Sequence, residues 1–434
     1  VKIDLRYGRD GYELHLPDEW DVRVLRKPPL PVLDDPLHAL EQSLEQPDGG
    51  EPLSAAARGC SSACILVCDI TRPVPNGLIL PLLIRRLLDY GMALERITIL
   101  IATGLHRPNL GAELAELIND PWVLEHVRIV NHDARDHEQH TDLGATDAGT
   151  PIMLDKRLVE ADLRIAVGLV EPHFMAGYSG GRKLVAPGVA HERTITRLHS
   201  AQLLEDPRVT NCNINDNPLH GEQLQIVRKL APLYAINTVL DEERRVCLLN
   251  FGEVERSHAR AVEFVRAHAE LLIHERFANV VTTAAGHPLD ATYYQAVKAM
   301  VGASDAVQPG GALFVAAACS EGLGSPEYCQ AQQRLIDLGP DEFLARLLDK
   351  RNAAVDEWQT QMQLRATRRF GVHLFSQGLS ALQRSLTGVQ VVDSLERALW
   401  RSVEQSGDSR LAVIPEGPYL IPKYELADGV NSVS

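Results

Sequence analysis

Short apolar runs rich in β-branched residues alternate with amphipathic stretches along the first two-thirds of the chain. "ACILVCDI" reads as a buried strand, "LILPLLIRRLLDYGM" as a helix closing at Gly91, and "RITILIATG" as the next strand. "HVRIVNHD" and "ADLRIAVGLV" continue the series. Apolar strands separated by helices predict an α/β fold with mainly parallel sheets, and such sheets carry their sites at the C-terminal ends of strands. "EVERSHARAVEFVRAHAELLI" (253–273) sets Ala, Val, Phe and Leu at helical spacing against charges, which predicts one amphipathic helix acting as a domain connector. Beyond it, "FANVVTTAAG", "GGALFVAAAC" and "QVVDSLERAL" predict a second α/β unit, with a helix-rich insertion from Pro326 to Leu382.

A chain of 434 residues exceeds the usual size of one core. Two α/β domains, 1–270 and 271–434, are therefore expected, with the active-site cleft between them. The net charge of -15 excludes a nucleic-acid partner, because the average surface repels phosphate, yet it leaves room for a local cationic pocket. The first twenty residues carry charges throughout, and no run approaches the ~20 apolar residues of a membrane helix. A soluble, cytoplasmic protein without a membrane partner is expected, a homo-oligomer being compatible with the sequence. The seven cysteines lack paired zinc spacing and read as small buried hydrophobes.

Four predicted strand ends carry polar clusters. "VCDITRPVP" places Asp69, Thr71 and Arg72 past an apolar strand, and "ILIATGLHRPN" places His106 and Arg107 past the next. "LRIAVGLV" leads into "EPHFMAGYSGGRKLVAPGVAHERTITRLHS", where His173, a glycine-rich turn, Lys183 and His199 follow in order. In "HPLDATYYQAVKAM", Gln295 and Lys298 stand three apart and share a helix face. Each cluster alone has a bland explanation: an Asp–Arg brace, a tight turn, a solvated lysine, a polar-face histidine. Together they point to a small carboxylic or phosphorylated substrate handled by acid/base or metal chemistry. A hydrolase or lyase with His106, His173 and His199 as metal ligands, and a non-catalytic carrier of a nucleotide or carboxylate, remain competing readings.

At these motifs the chain resembles the nickel-dependent lactate racemase family. "DITRPVP", "ATGLHRP", "EPHFMAGYSGGRKLVAPG" with its later "LHS", and "PLDATYYQAVKAM" occur in family order over residues 69–302. The resemblance implies a nickel-pincer nucleotide cofactor, joined through a thioamide to Lys183 and bound at nickel by His199. It implies His106 and His173 as the paired acid/base residues, and Arg72 and Lys298 as the carboxylate clamp with Asp69, Tyr294 and Gln295 nearby. Thr71, Ser179, Gly180 and Gly181 would contact the cofactor, the "GYSGG" turn at its phosphate. Cofactor-making enzymes would be the partners needed for loading. The implied reaction inverts C2 of a 2-hydroxy acid by hydride transfer through a 2-keto acid.

Family members act on lactate, malate, aryl-substituted and sugar-derived 2-hydroxy acids. Met175, Tyr178, Leu198 and the segment "CSEGLGSPEYC" depart from the lactate-enzyme pattern and are expected to line or border the pocket. No arginine in the motifs is dedicated to a second carboxylate, which disfavours a malate-type substrate. His191 matches no implied role and is expected at the surface.

Overall fold

The computed structural model describes residues 1–426 and divides into two compact units. The first comprises Pro29–His199 and Asp206–Ala267; the second comprises Val1–Pro28, Ser200–Glu205 and the chain from His268 onward. The sheets are mainly parallel with helices between strands, as the alternating pattern predicts.

The sheet of the first unit has six strands in the order Val246–Glu253, Tyr234–Leu240, Leu163–Leu169, Ala63–Cys68, Ile97–Ala102, Arg128–Asn131. All neighbours are parallel except the first pair, where Val246–Glu253 lies antiparallel at the edge. The central strands "ACILVC" and "LRIAVGL" are almost wholly buried, which is why they read as continuous apolar runs rather than alternating ones. Helix Asn76–Asp89 covers one face, burying Ile79, Leu80, Leu83, Ile84 and Leu87.

The second unit holds a fully parallel sheet in the order Gln390–Val392, Gly371–Phe375, Val307–Ala316, Phe277–Thr283, Arg410–Ile414, Asp21–Val24. Asp21–Val24 is its last strand, so the first 28 residues group with the C-terminal half rather than with 1–270 as the linear division expects. The pairing partner, Arg410–Ile414, lies near the other end of the chain.

Two further expectations are corrected. The amphipathic helix ends at Ala269, and Glu270–Ile273 is a strand paired with Ile421–Tyr424. Within the supposed helix-rich insertion, helices Pro326–Leu338, Pro340–Leu348 and Glu357–Thr367 give way to the strand Gly371–Phe375. Among the described residues no disulfide joins any of the seven cysteines, and burial pushes the Cys68 thiol up to about 11. Among the described residues no helix is long and apolar enough to cross a membrane.

Candidate active site

In the first unit the chain runs from Ala63–Cys68 outward to Ile97–Ala102 and Arg128–Asn131, then returns to Leu163–Leu169 on the opposite side of Ala63–Cys68. The loops that follow Ala63–Cys68 and Leu163–Leu169 therefore leave in different directions, which opens a crevice at the C-terminal ends of these strands. Three sequence clusters follow the three adjacent strands Leu163–Leu169, Ala63–Cys68 and Ile97–Ala102.

After Ala63–Cys68, the buried Asp69 carboxylate is committed on both oxygens. Oδ1 accepts the Thr71 N–H at 3.2 Å and hydroxyl at 2.5 Å, and Oδ2 lies 2.6 Å from His106 Nδ1. Burial acts to raise the Asp69 pKa, but its hydrogen bonds with His106 and Thr71 and the nearby Arg72 charge outweigh that and hold it below the usual range. An ionised Asp69 takes the Nδ1 proton of His106, so the Nε2 of a side chain that is 62% exposed carries the lone pair. Asp69 thus orients His106, and the Thr71 hydroxyl braces Asp69. The loop is fixed from below: Asn109 Oδ1 accepts the Ile70 N–H at 3.2 Å, and Asn109 and Asn131 exchange two further bonds at 2.8 and 3.0 Å.

Arg72 is half-buried, with Nε 3.4 Å from Glu171 Oε1. Glu171 ties the loop after one central strand to the loop after its neighbour, a relationship across nearly a hundred residues that sequence spacing does not reveal.

After Leu163–Leu169, Pro172–His173 pairs antiparallel with Gly177–Tyr178. At the turn, His173 Nδ1 accepts N–H groups from Met175 at 3.2 Å and Ala176 at 3.1 Å. The chain then turns back at Gly180 and Gly181, with φ of 80° and 47°. A Cβ on Gly180 would meet Val170 Cγ2 at 2.6 Å, so glycine is required there by close packing on the strand end as well as by conformation. The Ser179 hydroxyl donates to Leu169 O at 2.7 Å and accepts the Glu171 N–H at 3.0 Å, which ties the turn to the strand end. This turn carries Lys183 back over the hairpin, where Nζ lies 2.8 Å from His173 Nε2.

Arg182, unassigned by sequence, fastens the arrangement. Wholly buried, it donates to Ala176 O at 2.7 Å and lies 2.9 Å from His258 Nε2, joining the hairpin to the turn; burial lowers its pKa to about 9. The "GGRK" run supplied the only signal, and an arginine beside a lysine there reads naturally as another surface cation.

Helix Glu192–Leu198 ends at His199, its C-cap. His199 Nδ1–H donates to Ile195 O at 2.8 Å, so the lone pair is on Nε2, and burial pushes the imidazole down to about 4, keeping it neutral. Among the described residues no three of His, Cys, Asp and Glu converge as a metal site, which removes the reading of His106, His173 and His199 as a joint ligand set. His191 is not at the surface: it is buried, caps the same helix by accepting the Arg193 N–H, and packs its ring edge-on to His137 and His140. Met175, Tyr178 and Leu198 are buried.

In the second unit, Thr292 caps helix Tyr293–Gly302, which carries Tyr294, Gln295 and Lys298. The Tyr294 hydroxyl receives Trp358 Nε1–H at 3.3 Å and its carbonyl receives Gln359 Nε2–H at 2.5 Å. Among the described residues Gln295 Oε1 is buried without a hydrogen-bond partner, an acceptor suited to a ligand's hydroxyl.

Two oriented histidines on the loops either side of an arginine-bearing loop thus follow strands that adjoin a topological switch point, where open α/β sheets hold small ligands. The lactate racemase N-terminal domain family matches residues 7–211, and the lactate racemase C-terminal domain family matches 274–421. The chain is 30% identical over 387 residues to the lactate racemase of Lactiplantibacillus plantarum, covering 88% of this chain and 90% of that one. It is also 30% identical to the lactate racemase of Thermoanaerobacterium thermosaccharolyticum, over 84% and 85% of the two chains. The lactate racemase apoprotein structure from the latter organism superposes with a TM-score of 0.90 at 28% identity, covering 98% of this chain and all of that one. The chain belongs to the lactate racemase family and is an isomerase.

Proposed function

We propose that this protein inverts C2 of a short 2-hydroxy acid, lactate being the first candidate from the names of its relatives, by reversible hydride transfer through a 2-keto acid. The observation that carries the proposal is the strand order: the His173 loop, the Arg72 loop and the His106 loop follow three neighbouring strands. Adjacent strands are about 4.8 Å apart, so the outer two of these strands stand about 10 Å apart with the arginine's strand between them. A carboxylate held by Arg72 then has one imidazole-bearing loop to either side.

That spacing suits racemisation. Each enantiomer presents its hydroxyl on a different side of the fixed carboxylate, so each needs its own proton-carrying group. His106, with its lone pair on Nε2, serves one side, and His173, whose Nδ1 accepts backbone N–H groups and whose Nε2 carries the proton of the neutral ring, serves the other. Removing the Cα hydrogen as a proton would build a carbanion beside a carboxylate, a task beyond an imidazole with an ordinary pKa near 6.5.

The residues fit the nickel-pincer nucleotide: His199 offers a neutral Nε2 as a single protein ligand, and Lys183 offers an amine for a covalent link. When bound, that group supplies a hydride acceptor. The chain's own part is to fix the carboxylate through Arg72, move the hydroxyl proton through His106 or His173, and orient those imidazoles through Asp69 and the 173–177 turn. Lys298, Gln295 and Tyr294 are proposed as further substrate-binding residues, on the strength of the family motif and the unpartnered Gln295 Oε1. The test is a stereochemical screen: protein from a host that makes the cofactor, assayed with both enantiomers of lactate, malate, mandelate and a sugar-derived 2-hydroxy acid. Racemisation of lactate is expected, and inertness toward every 2-hydroxy acid overturns the proposal.

A further inference from the structure

The first N–H groups of an α-helix have no partner within it. At helix Tyr293–Gly302 a later segment of the same unit takes two of them: Tyr293 N–H donates to Gly322 O at 3.0 Å and Tyr294 N–H to Leu323 O at 2.9 Å. The segment donates in return, from Cys319 N–H to Asp290 O and from Glu321 N–H to Ala291 O, both at 2.8 Å. These backbone bonds seat residues 319–323 along the entry to the helix that carries Tyr294, Gln295 and Lys298.

Gly324 comes next, with φ of 133°, a conformation that residues with a side chain rarely adopt. A Cβ there would stand 3.0 Å from Tyr294 Cβ and 3.4 Å from Tyr328 Cδ1. Beyond it, Ser325 Oγ donates to Asp356 Oδ2 at 2.5 Å, at the start of helix Glu357–Thr367, whose Trp358 and Gln359 bond the hydroxyl and the carbonyl of Tyr294. The wholly buried Tyr328 ring lies edge-on to Tyr294 at 5.1 Å. Tyr294 is thus packed against its own unit on several sides, yet it is only half-buried, as are Gln295 and Lys298, which share its helix face.

Resting on the reading of Tyr294 as a substrate-binding residue, we infer that Gly324 is a specificity-determining position. Having no side chain, it lets residues 319–325 lie close against Tyr294; this sets how far the phenol stands out on the face of Gln295 and Lys298, and so how long a side chain the 2-hydroxy acid can carry. A methyl group at Gly324 presses on Tyr294 Cβ. The ring cannot retreat into the packed Tyr328, so it moves toward the open face. The space lost there is space for the substrate's side chain, not for its carboxylate.

The test assays cofactor-loaded protein with lactate and titrates glycolate and 2-hydroxybutanoate, whose side chains are one carbon shorter and one longer, as competing ligands. In Gly324→Ala the KM and inhibition constants are expected to rise in order of side-chain length, least for glycolate and by about 10-fold for each added carbon. Equal rises for all three, the mark of a general loss of structure, overturn the inference, and so does no change. A second readout uses the full chain without cofactor: the indole N–H signal of Trp358, assigned with Trp358→Phe, reports the bond to Tyr294 and should move in Gly324→Ala; a signal that stays in place overturns the inference. Where Gly324→Ala does not fold, Ser325→Ala, which loosens the same segment at Asp356, should move the signal and narrow the spread of constants between glycolate and 2-hydroxybutanoate; an unchanged signal and spread overturn the inference. Tyr294→Ala tests the underlying reading separately. An unaltered spread in that variant rejects Tyr294 as a substrate residue, whereas a spread altered in Tyr294→Ala but not in Gly324→Ala keeps Tyr294 and rejects the role of Gly324.

Discussion

Asp69 Oδ2 lies 2.6 Å from His106 Nδ1, and the same carboxylate is held from its other oxygen by Thr71. The pair gives His106 a defined tautomer on an otherwise exposed side chain. Asp69→Asn keeps the shape but offers an amide in place of the anion, which favours the wrong tautomer. We predict a fall in kcat of about 10²-fold or more with KM little changed, measured by chiral chromatography of product. Enantiomers have an equilibrium constant of one, so kcat/KM must fall by the same factor from either direction even though Asp69 supports one histidine only. Unequal losses would show that the assay is reporting something other than racemisation.

Arg72 is expected to act on binding. Arg72→Ala removes a charge-assisted contact of about 1.5–3 kcal/mol, so KM should rise by about 10–100-fold. Arg72→Lys should recover only part of this, since the point charge lacks the guanidinium fork. An unchanged KM in both variants would remove Arg72 from the carboxylate site.

Below this site, the buried Asp155 carboxylate lies 3.0 Å from His132 Nδ1 and accepts two bonds from the Arg157 guanidinium and one from the Arg157 N–H. Burial raises its pKa, but the Arg157 and His132 hydrogen bonds and charges win and bring it down to about 2. A lowered carboxylate pKa stabilises the fold above the unfolded value of 3.8, and that stability is lost as pH falls through the folded value. Urea titrations from pH 5 to pH 2 should show a loss on the order of 2 kcal/mol from this group, absent in Asp155→Asn, which should itself be weaker at pH 7 by about 3–5 kcal/mol.

The His199 imidazole, pushed down to about 4 by burial, should stay neutral well below the ordinary histidine range. Histidine NMR of the unloaded protein, assigned with His199→Gln, is expected to show no titration of this ring between pH 8 and 5. Because its folded pKa lies below the unfolded value, its contribution to stability is complete above pH 6.5 and declines as pH falls toward 4. Titration near pH 6.5 would contradict the neutral, ligand-ready form.

The parts of this architecture that were legible in the sequence are those encoded locally. Continuous apolar strands such as "ACILVC" and "LRIAVGL" announce a parallel sheet, and polar clusters just past them announce strand-end sites. Contacts between distant segments were not legible. The pairing of Asp21–Val24 with Arg410–Ile414, the Asp69–His106 bond and the Arg72–Glu171 bridge follow from topology, which no spacing rule reports. His191 was misread and Arg182 left unassigned for a related reason: a charged or polar residue in a loop is ordinarily solvated, and only the fold shows Arg182 fastened under a glycine turn and His191 capping a helix from within.

The central claim, C2 inversion by hydride transfer between two oriented histidines, is tested most directly with lactate deuterated at Cα, incubated in ordinary water with cofactor-loaded protein. We predict that the opposite enantiomer forms with its deuterium retained. Formation of that enantiomer with the label washed out to solvent would contradict hydride transfer, and failure to form it at all, once loading is verified by mass, would contradict lactate as the substrate.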